Sequence, residues 1–289
     1  MTERLRAATG VYPPKPNALH EIFGRERGVV IGVIHSLALP GAPLYKGGGP
    51  SALKAVYDFA LAEAERYQRG GVDGLIVENA FDLPFAKPED IGYETVATMS
   101  VMASLVRQAS GLPVGINVLA NAGHAAVAVA QASASVFIRV NQWVNGYVAN
   151  EGFIEGRAGA IARYRAALRA DELRVFADVH VKHGAHAIVA DRTLGEQTRD
   201  AEFFDADVLI ATGNRTGDAT AVEEIQGIQQ ATRLPVIIGS GVTADNARDL
   251  LTVADGAIVA SSLKVDGVWW NPVDPDRVQR LTETIRSLG

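Results

Sequence analysis

The sequence predicts an α/β fold, a single (β/α)8 TIM barrel, and three observations predict it. Eight short runs of β-branched and aliphatic residues recur along the chain of 289 residues, each ending in a polar residue or a glycine. Segments rich in Ala, Glu, Arg and Gln with helical spacing lie between them, and no long linker or low-complexity tract divides the chain. Strands buried on both faces read as continuous apolar runs, and strand–helix alternation implies a parallel sheet. Eight such units favour a closed barrel over an open doubly wound sheet, which usually has fewer strands and one topological switch point.

Residues 1–27 form an N-terminal extension, and residues 28–289 hold the barrel. The prolines at 13, 14 and 16 suit a segment that wraps the bottom of the barrel or a neighbouring subunit. Val29–His35 is the first predicted strand, followed by the long loop 36–50. The first helix, Ala52–Gly71, has apolar residues recurring at three and four and stops at paired glycines. Strand Gly74–Asn79 then leads through the loop 80–92 into helix Tyr93–Ser110. Strand Val114–Leu119 precedes helix Asn121–Ala132, and strand Val136–Asn141 precedes helix Gly156–Ala170. The fifth to seventh units pair Val175–His180 with Arg192–Phe204, Val208–Gly213 with Ala219–Thr232, and Val236–Gly241 with Thr243–Val253. The last strand, Ala257–Ser262, is followed by helix Pro275–Leu288, which carries Pro in its first turn.

Composition narrows the function classes. The formal charge is −6, from 27 Lys plus Arg against 33 Asp plus Glu, and no basic run is interleaved with aromatics, so no nucleic-acid partner is expected. No apolar stretch approaches the roughly 20 residues that span a bilayer, and the N-terminus lacks the apolar region of a signal peptide. With no cysteine, thiolate chemistry and Cys-ligated metals are excluded. A cytoplasmic enzyme acting on a small molecule is the expectation.

In such a barrel the chemistry belongs to polar residues at the carboxyl ends of the strands. These are His35, Glu78, Asn79, Asn117, Arg139, Asn141, Asp178, His180, Thr212, Ser240 and Ser261. Asp178 and His180 share a strand face with core-directed Phe176, so a carboxylate could fix the imidazole's tautomer, raise its pKa and make it a general acid/base; a buried ion pair is the plainer reading. Lys182, in DVHVKHGAH, is placed to neutralise an oxyanion or phosphate, a role preferred here to a Schiff base, which needs a desolvated amine. Glu78 with Asp178 gives two carboxylates for proton transfer or glycosyl cleavage. With His35 and His180 they offer an N2O2 set for a divalent ion such as zinc or manganese, although no local ligand motif supports one and no cofactor is required.

The glycines of GSGVTADN (residues 239–246) do not read as a dinucleotide fingerprint, since they fall in the seventh unit rather than the first. Barrel enzymes frequently bind phosphate in the loops after strands seven and eight. Gly239, Ser240, Gly241, Ser261 and Ser262 fit a phosphate cup, with Lys264 adding charge. Thr212, Gly213 and Thr216 stand next to it, where they could hold the anion or a sugar hydroxyl; a plain glycine turn is the alternative.

The motifs GVIHSLALPGAPLY, FIRVN with YVANEGFIEGRA, ADVHVKHG, ATGNRTG, GSGVT and SSLKVDGVWWNPVD together resemble the BtpA/SgcQ family, from about residue 28 to the C-terminus. The resemblance implies a barrel of the phosphate-binding type. It also implies polar site positions at His35, Glu78, Asn79, Asn117, Arg139, Asn141, Asp178, His180, Lys182, His183, Thr212, Ser240 and Lys264. The family takes its name from photosystem I biogenesis, while its bacterial members look like enzymes of sugar or nucleoside breakdown. Two stretches depart from the family pattern: 80–85 reads AFDLPF, and Ala120-Asn121-Ala122 replaces an Arg-Asn-Asp tail. The second change removes a cation and a carboxylate, which suits a substrate less charged there.

The expected function is acid–base chemistry on a phosphorylated sugar or nucleoside-like compound, as a lyase or an isomerase/epimerase of carbohydrate metabolism. Glu78, Asp178, His180, Lys182, Arg139 and Asn141 are the expected catalytic groups, and His35, Asn79, Asn117, His183, Thr212 and Gly213 the substrate-binding ones. A glycosidic hydrolase using Glu78 and Asp178 is one alternative. A non-catalytic assembly factor for a membrane complex such as photosystem I is another. Long loops and the proline-rich start point to a homo-oligomer.

Overall fold

A computed structural model describes residues 15–213 and 222–288. Strands β1 (Val29–His35), β2 (Gly74–Glu78), β3 (Val114–Asn117) and β4 (Phe137–Val140) run in order around a closed barrel. A two-stranded antiparallel hairpin, β5 (Gly146–Ala149) and β6 (Gly152–Glu155), follows β4. The barrel resumes with β7 (Arg174–Asp178), β8 (Val208–Ala211), β9 (Val236–Ile238) and β10 (Gly256–Val259), which closes on β1; every barrel pairing is parallel. Helices α1 (Ala18–Phe23), α2 (Pro50–Gly70), α3 (Tyr93–Ser110), α4 (Gly123–Ser133) and α5 (Ala158–Ala167) precede β7 along the chain. Helices α6 (Leu194–Phe203), α7 (Val222–Ala231), α8 (Ala247–Val253) and α9 (Pro275–Arg286) complete the set. None of the described helices is long and apolar enough to cross a membrane.

Strand alternation sorts the core into two clusters. Val29, Ile31, Val33, Ile76, Phe137, Phe176, Val208, Ile210, Ile237 and Ile258 fill the barrel interior. Val30, Ile34, Leu75, Val77 and their counterparts pack outward against the helices. Phe137 and Phe176 stack with ring centroids 4.4 Å apart. Phe137 has room because Gly115 faces it; a Cβ there would sit 2.1 Å from the ring.

The segment before the barrel closes its lower end. The side chain of Asn17 accepts from the backbone N–H groups of Leu19 and His20 and caps α1. Ala18 and Leu19 are buried in the interior cluster, with Ile22 and Phe23 packed against it. Lys15 Nζ donates to the carbonyl oxygens of Asp205 and Ala206 and pairs with Asp207 at 2.9 Å.

The main departure from expectation is the hairpin, which occupies a stretch with no predicted element. Helix α8 also starts later than expected: Thr243 and Asn246 form a turn, with Thr243 N–H donating to Asn246 Oδ1 at 2.8 Å, and the helix begins only at Ala247. The fifth strand ends at Asp178 rather than His180.

Candidate active site

The same alternation that buries the interior cluster decides what reaches the open end. His35 follows Val29, Ile31 and Val33 along β1, Glu78 follows Ile76 along β2, and Arg139 follows Phe137 along β4. A cavity of about 690 Å³ opens there. His35, Glu78, Asn117, Arg139, Asn141, Lys182 and His183 line it, as do Gly239, Ser240, Gly241, Ser261 and Ser262 from the ends of β9 and β10.

Glu78 is held within this cavity by its neighbours. Asn117 Nδ2 donates to its Oε2 at 2.6 Å, and His35 Nε2 lies 3.7 Å from Oε1. Burial keeps the His35 pKa below its ordinary value of 6.5, although Glu78 and the Trp269 carbonyl pull it upward. His35 Nδ1 stands 3.2 Å from that carbonyl oxygen. A ring protonated at Nδ1 donates to that carbonyl oxygen.

Two cavity side chains keep unused hydrogen-bonding capacity. Asn117 Oδ1 and Asn141 Oδ1 are buried without a hydrogen-bond partner among the described residues. Buried polar atoms are normally satisfied, and both residues line the cavity.

Several predicted residues do something other than expected. Asp178 does not pair with His180; its two oxygens accept from Arg139 Nε at 3.1 Å and Nη2 at 3.0 Å, and Asn141 Nδ2 lies 3.2 Å from Oδ2. His180 lies beyond the strand end, where alternation no longer holds, and its ring packs on His186 with centroids 3.8 Å apart. Burial and His186 lower its pKa, opposite to the expected rise. Asp178 is thus an ion-paired carboxylate held by Arg139 rather than the partner of His180.

The quartet His35, Glu78, Asp178 and His180 therefore does not assemble around one metal. Among the described residues no group of three or more His, Asp or Glu side chains could hold an ion.

Asn79 and Thr212 are buried ties between loops rather than substrate ligands. Asn79 Nδ2 donates to Asp82 Oδ2 and to the Leu119 carbonyl, its Oδ1 accepts from Leu119 N–H, and Asp82 Oδ1 accepts from Leu39 N–H. These bonds join the loops after β1, β2 and β3. Thr212 Oγ1 accepts from Lys182 N–H at 3.1 Å and donates to the His180 carbonyl at 2.9 Å. Gly213, in a left-handed conformation with φ of 65°, borders the described region, and Thr216 lies outside it.

Lys264 does not reach the cup. It is 1% exposed, its Nζ donates to Glu63 Oε2 at 2.6 Å, and it does not line the cavity. Ser262 lines the cavity, but its hydroxyl donates to the Val242 carbonyl.

Other cavity residues had no predicted role. Trp269 packs on Phe81, with centroids 5.0 Å apart, and edge-on to His35 at 5.8 Å. Tyr147, Asn150 and Glu151 reach the cavity from the hairpin. Asn121 anchors that hairpin: its Nδ2 donates to the carbonyls of Gln142 and Glu155, and its Oδ1 accepts from Gln142 N–H. The signal for Tyr147, Asn150, Glu151 and Trp269 in the sequence is membership of the YVANEGFIEGRA and VWWNPVD stretches that carry the family resemblance, and Asn121 stands in the departing stretch Ala120-Asn121-Ala122.

A family model described as BtpA family matches residues 26–287. A mitochondrial protein of Caenorhabditis elegans is 36% identical over 93% of this chain and 96% of its own length. The photosystem I biogenesis protein BtpA of Synechocystis is 38% identical over 89% of this chain and 87% of its own. Among solved structures, (S)-3-O-geranylgeranylglyceryl phosphate synthase from Thermoplasma acidophilum, in complex with its substrate sn-glycerol-1-phosphate, superposes with a TM-score of 0.57. The two are 13% identical, and the match covers 93% of this chain and 97% of that one, a likeness of fold.

Proposed function

This chain belongs to the BtpA family, and we propose that it is an enzyme that binds a phosphorylated sugar or nucleoside-like molecule at the barrel mouth and transforms it by acid–base chemistry, as a lyase or isomerase. The observation that carries the reading is the cavity at the open end of the barrel, which gathers the buried Glu78 with His35, Asn117, Arg139 and Asn141. Glu78 moves the proton, with His35 as its partner, and Arg139 and Asn141 hold the negative charge that develops as a carbon acid or alkoxide forms.

The loops after β9 and β10 hold the phosphate. That a barrel of similar fold carries sn-glycerol-1-phosphate as substrate supports this part of the reading. An assembly role like that in the Synechocystis relative's name would make no use of the polar side chains gathered in the cavity.

The test is binding of phosphorylated and unphosphorylated sugars by calorimetry, followed by turnover of those that bind. Glu78→Gln is expected to lower turnover by about 10²–10⁴-fold with binding retained. Ser240→Asp is expected to repel the phosphorylated ligands selectively. Equal binding of sugars with and without phosphate would remove the cup from the reading.

A further inference from the structure

We propose that Lys182 is a nucleophile that forms a covalent imine with the carbonyl carbon of a phosphorylated aldehyde or ketone bound in the barrel mouth. The proposal rests on the reading above for the phosphate and adds the substrate's carbonyl group.

Lys182 lines the cavity, and its backbone is pinned by Thr212, which also holds His180. Its amine makes no ion pair or hydrogen bond among the described residues. The carboxylates that could have claimed it are engaged: Asp178 by Arg139 and Asn141, and Glu78 by Asn117 and His35. Burial, then the Arg139 charge, push its pKa down to about 8, against the weaker upward pull of Asp178 and Glu78. Roughly a tenth of such an amine is neutral at pH 7. Lys264 is the contrast, since Glu63 sits on its ammonium.

In the step itself, the lone pair of the neutral amine forms the C–N bond while the carbonyl π pair moves to oxygen. The oxygen takes up a proton as the nitrogen gives one up. The resulting carbinolamine is protonated again on oxygen and expels water, leaving a protonated C=N⁺ bond. That cation then accepts the electron pair of a C–H bond on the neighbouring carbon, whose proton Glu78 takes, or of the C–C bond from that carbon to a hydroxyl-bearing one, which leaves as a carbonyl compound as Glu78 takes its hydroxyl proton.

The test traps the imine with sodium borohydride, whose hydride reduces C=N⁺ to a secondary amine. Full-length protein is incubated with dihydroxyacetone phosphate or dihydroxyacetone, reduced, digested and mapped by mass spectrometry. The expected result is an adduct on Lys182 that is lost in Lys182→Arg, while exposed Lys46 and Lys54 stay unlabelled, and trapping that weakens as pH falls below about 8. Circular dichroism and inorganic phosphate binding verify that Lys182→Arg is folded. No adduct at Lys182, or equal labelling of the exposed lysines, overturns the proposal even if phosphate binds. Equal trapping of both probes at Lys182 upholds the imine and overturns the phosphate cup.

Discussion

Glu63 and Lys264 meet at 2.6 Å, with side chains 0% and 1% exposed, and Asp178 and Arg139 meet at 3.0 Å, with side chains 0% and 6% exposed. By burial and distance the two pairs are alike. They differ in what is left over. The oxygens of Glu63 accept from Lys264, from Arg66 and from the Val273 N–H, so the group is closed on itself between α2 and the segment after β10. Asp178 engages only Nε and Nη2 of Arg139, whose guanidinium still faces the cavity with donors to spare. A buried charge contributes to a site when its partner leaves part of it unspent.

Glu63→Ala attacks the closed pair and should have the largest effect on stability. It strands the Lys264 charge in the interior, at a cost of about 3–5 kcal/mol in urea unfolding, with ligand affinity of the folded protein unchanged. Altered affinity would show that this pair reaches the site after all. Asp178→Asn keeps an acceptor for Arg139 but not its charge. A loss of about 1.5–3 kcal/mol is expected, accompanied by weaker binding of phosphorylated ligands as the guanidinium loses its orientation. Stability loss without any change in binding would make the two pairs equivalent and erase the contrast.

The smallest effect is expected from pH. His35 lines the cavity beside the open pair and is held below 6.5 by burial, so the unfolded chain takes up its proton first as pH falls. Its contribution is therefore fully present above about pH 6.5 and is lost as pH falls toward the folded value, with a slope of at most about 1.4 kcal/mol per pH unit. His35→Gln should flatten that limb of a stability–pH curve. An unchanged curve would assign the acid sensitivity to His180 or His124, which burial also lowers.

What could be read in the sequence was what depends on short-range periodicity. The two-residue repeat of Val29, Ile31, Val33 and His35, or of Phe176 and Asp178, gives both the interior and the rim, and the rim residues Glu78, Asn117 and Arg139 do line the cavity. Two failures came from carrying a local pattern past the point where it holds. Alternation beyond Asp178 would have put His180 beside the carboxylate, yet the strand ends at Asp178. A lysine just past the last strand resembles a phosphate ligand until Glu63 is seen, 201 residues earlier in the chain. The hairpin was hidden because four-residue strands around Asn150 and Glu151 are too short to display a repeat.

The docking of the segment before β1 has a consequence for the order of assembly. Lys15 finds its partner Asp207 across 192 residues, and α1 packs on interior side chains drawn from strands as late as β10. Contacts so distant in sequence carry a large loop-closure cost and form late. Translated ahead of the barrel, this segment has to wait for nearly the whole ring before it can dock, so its apolar face is among the last to be buried.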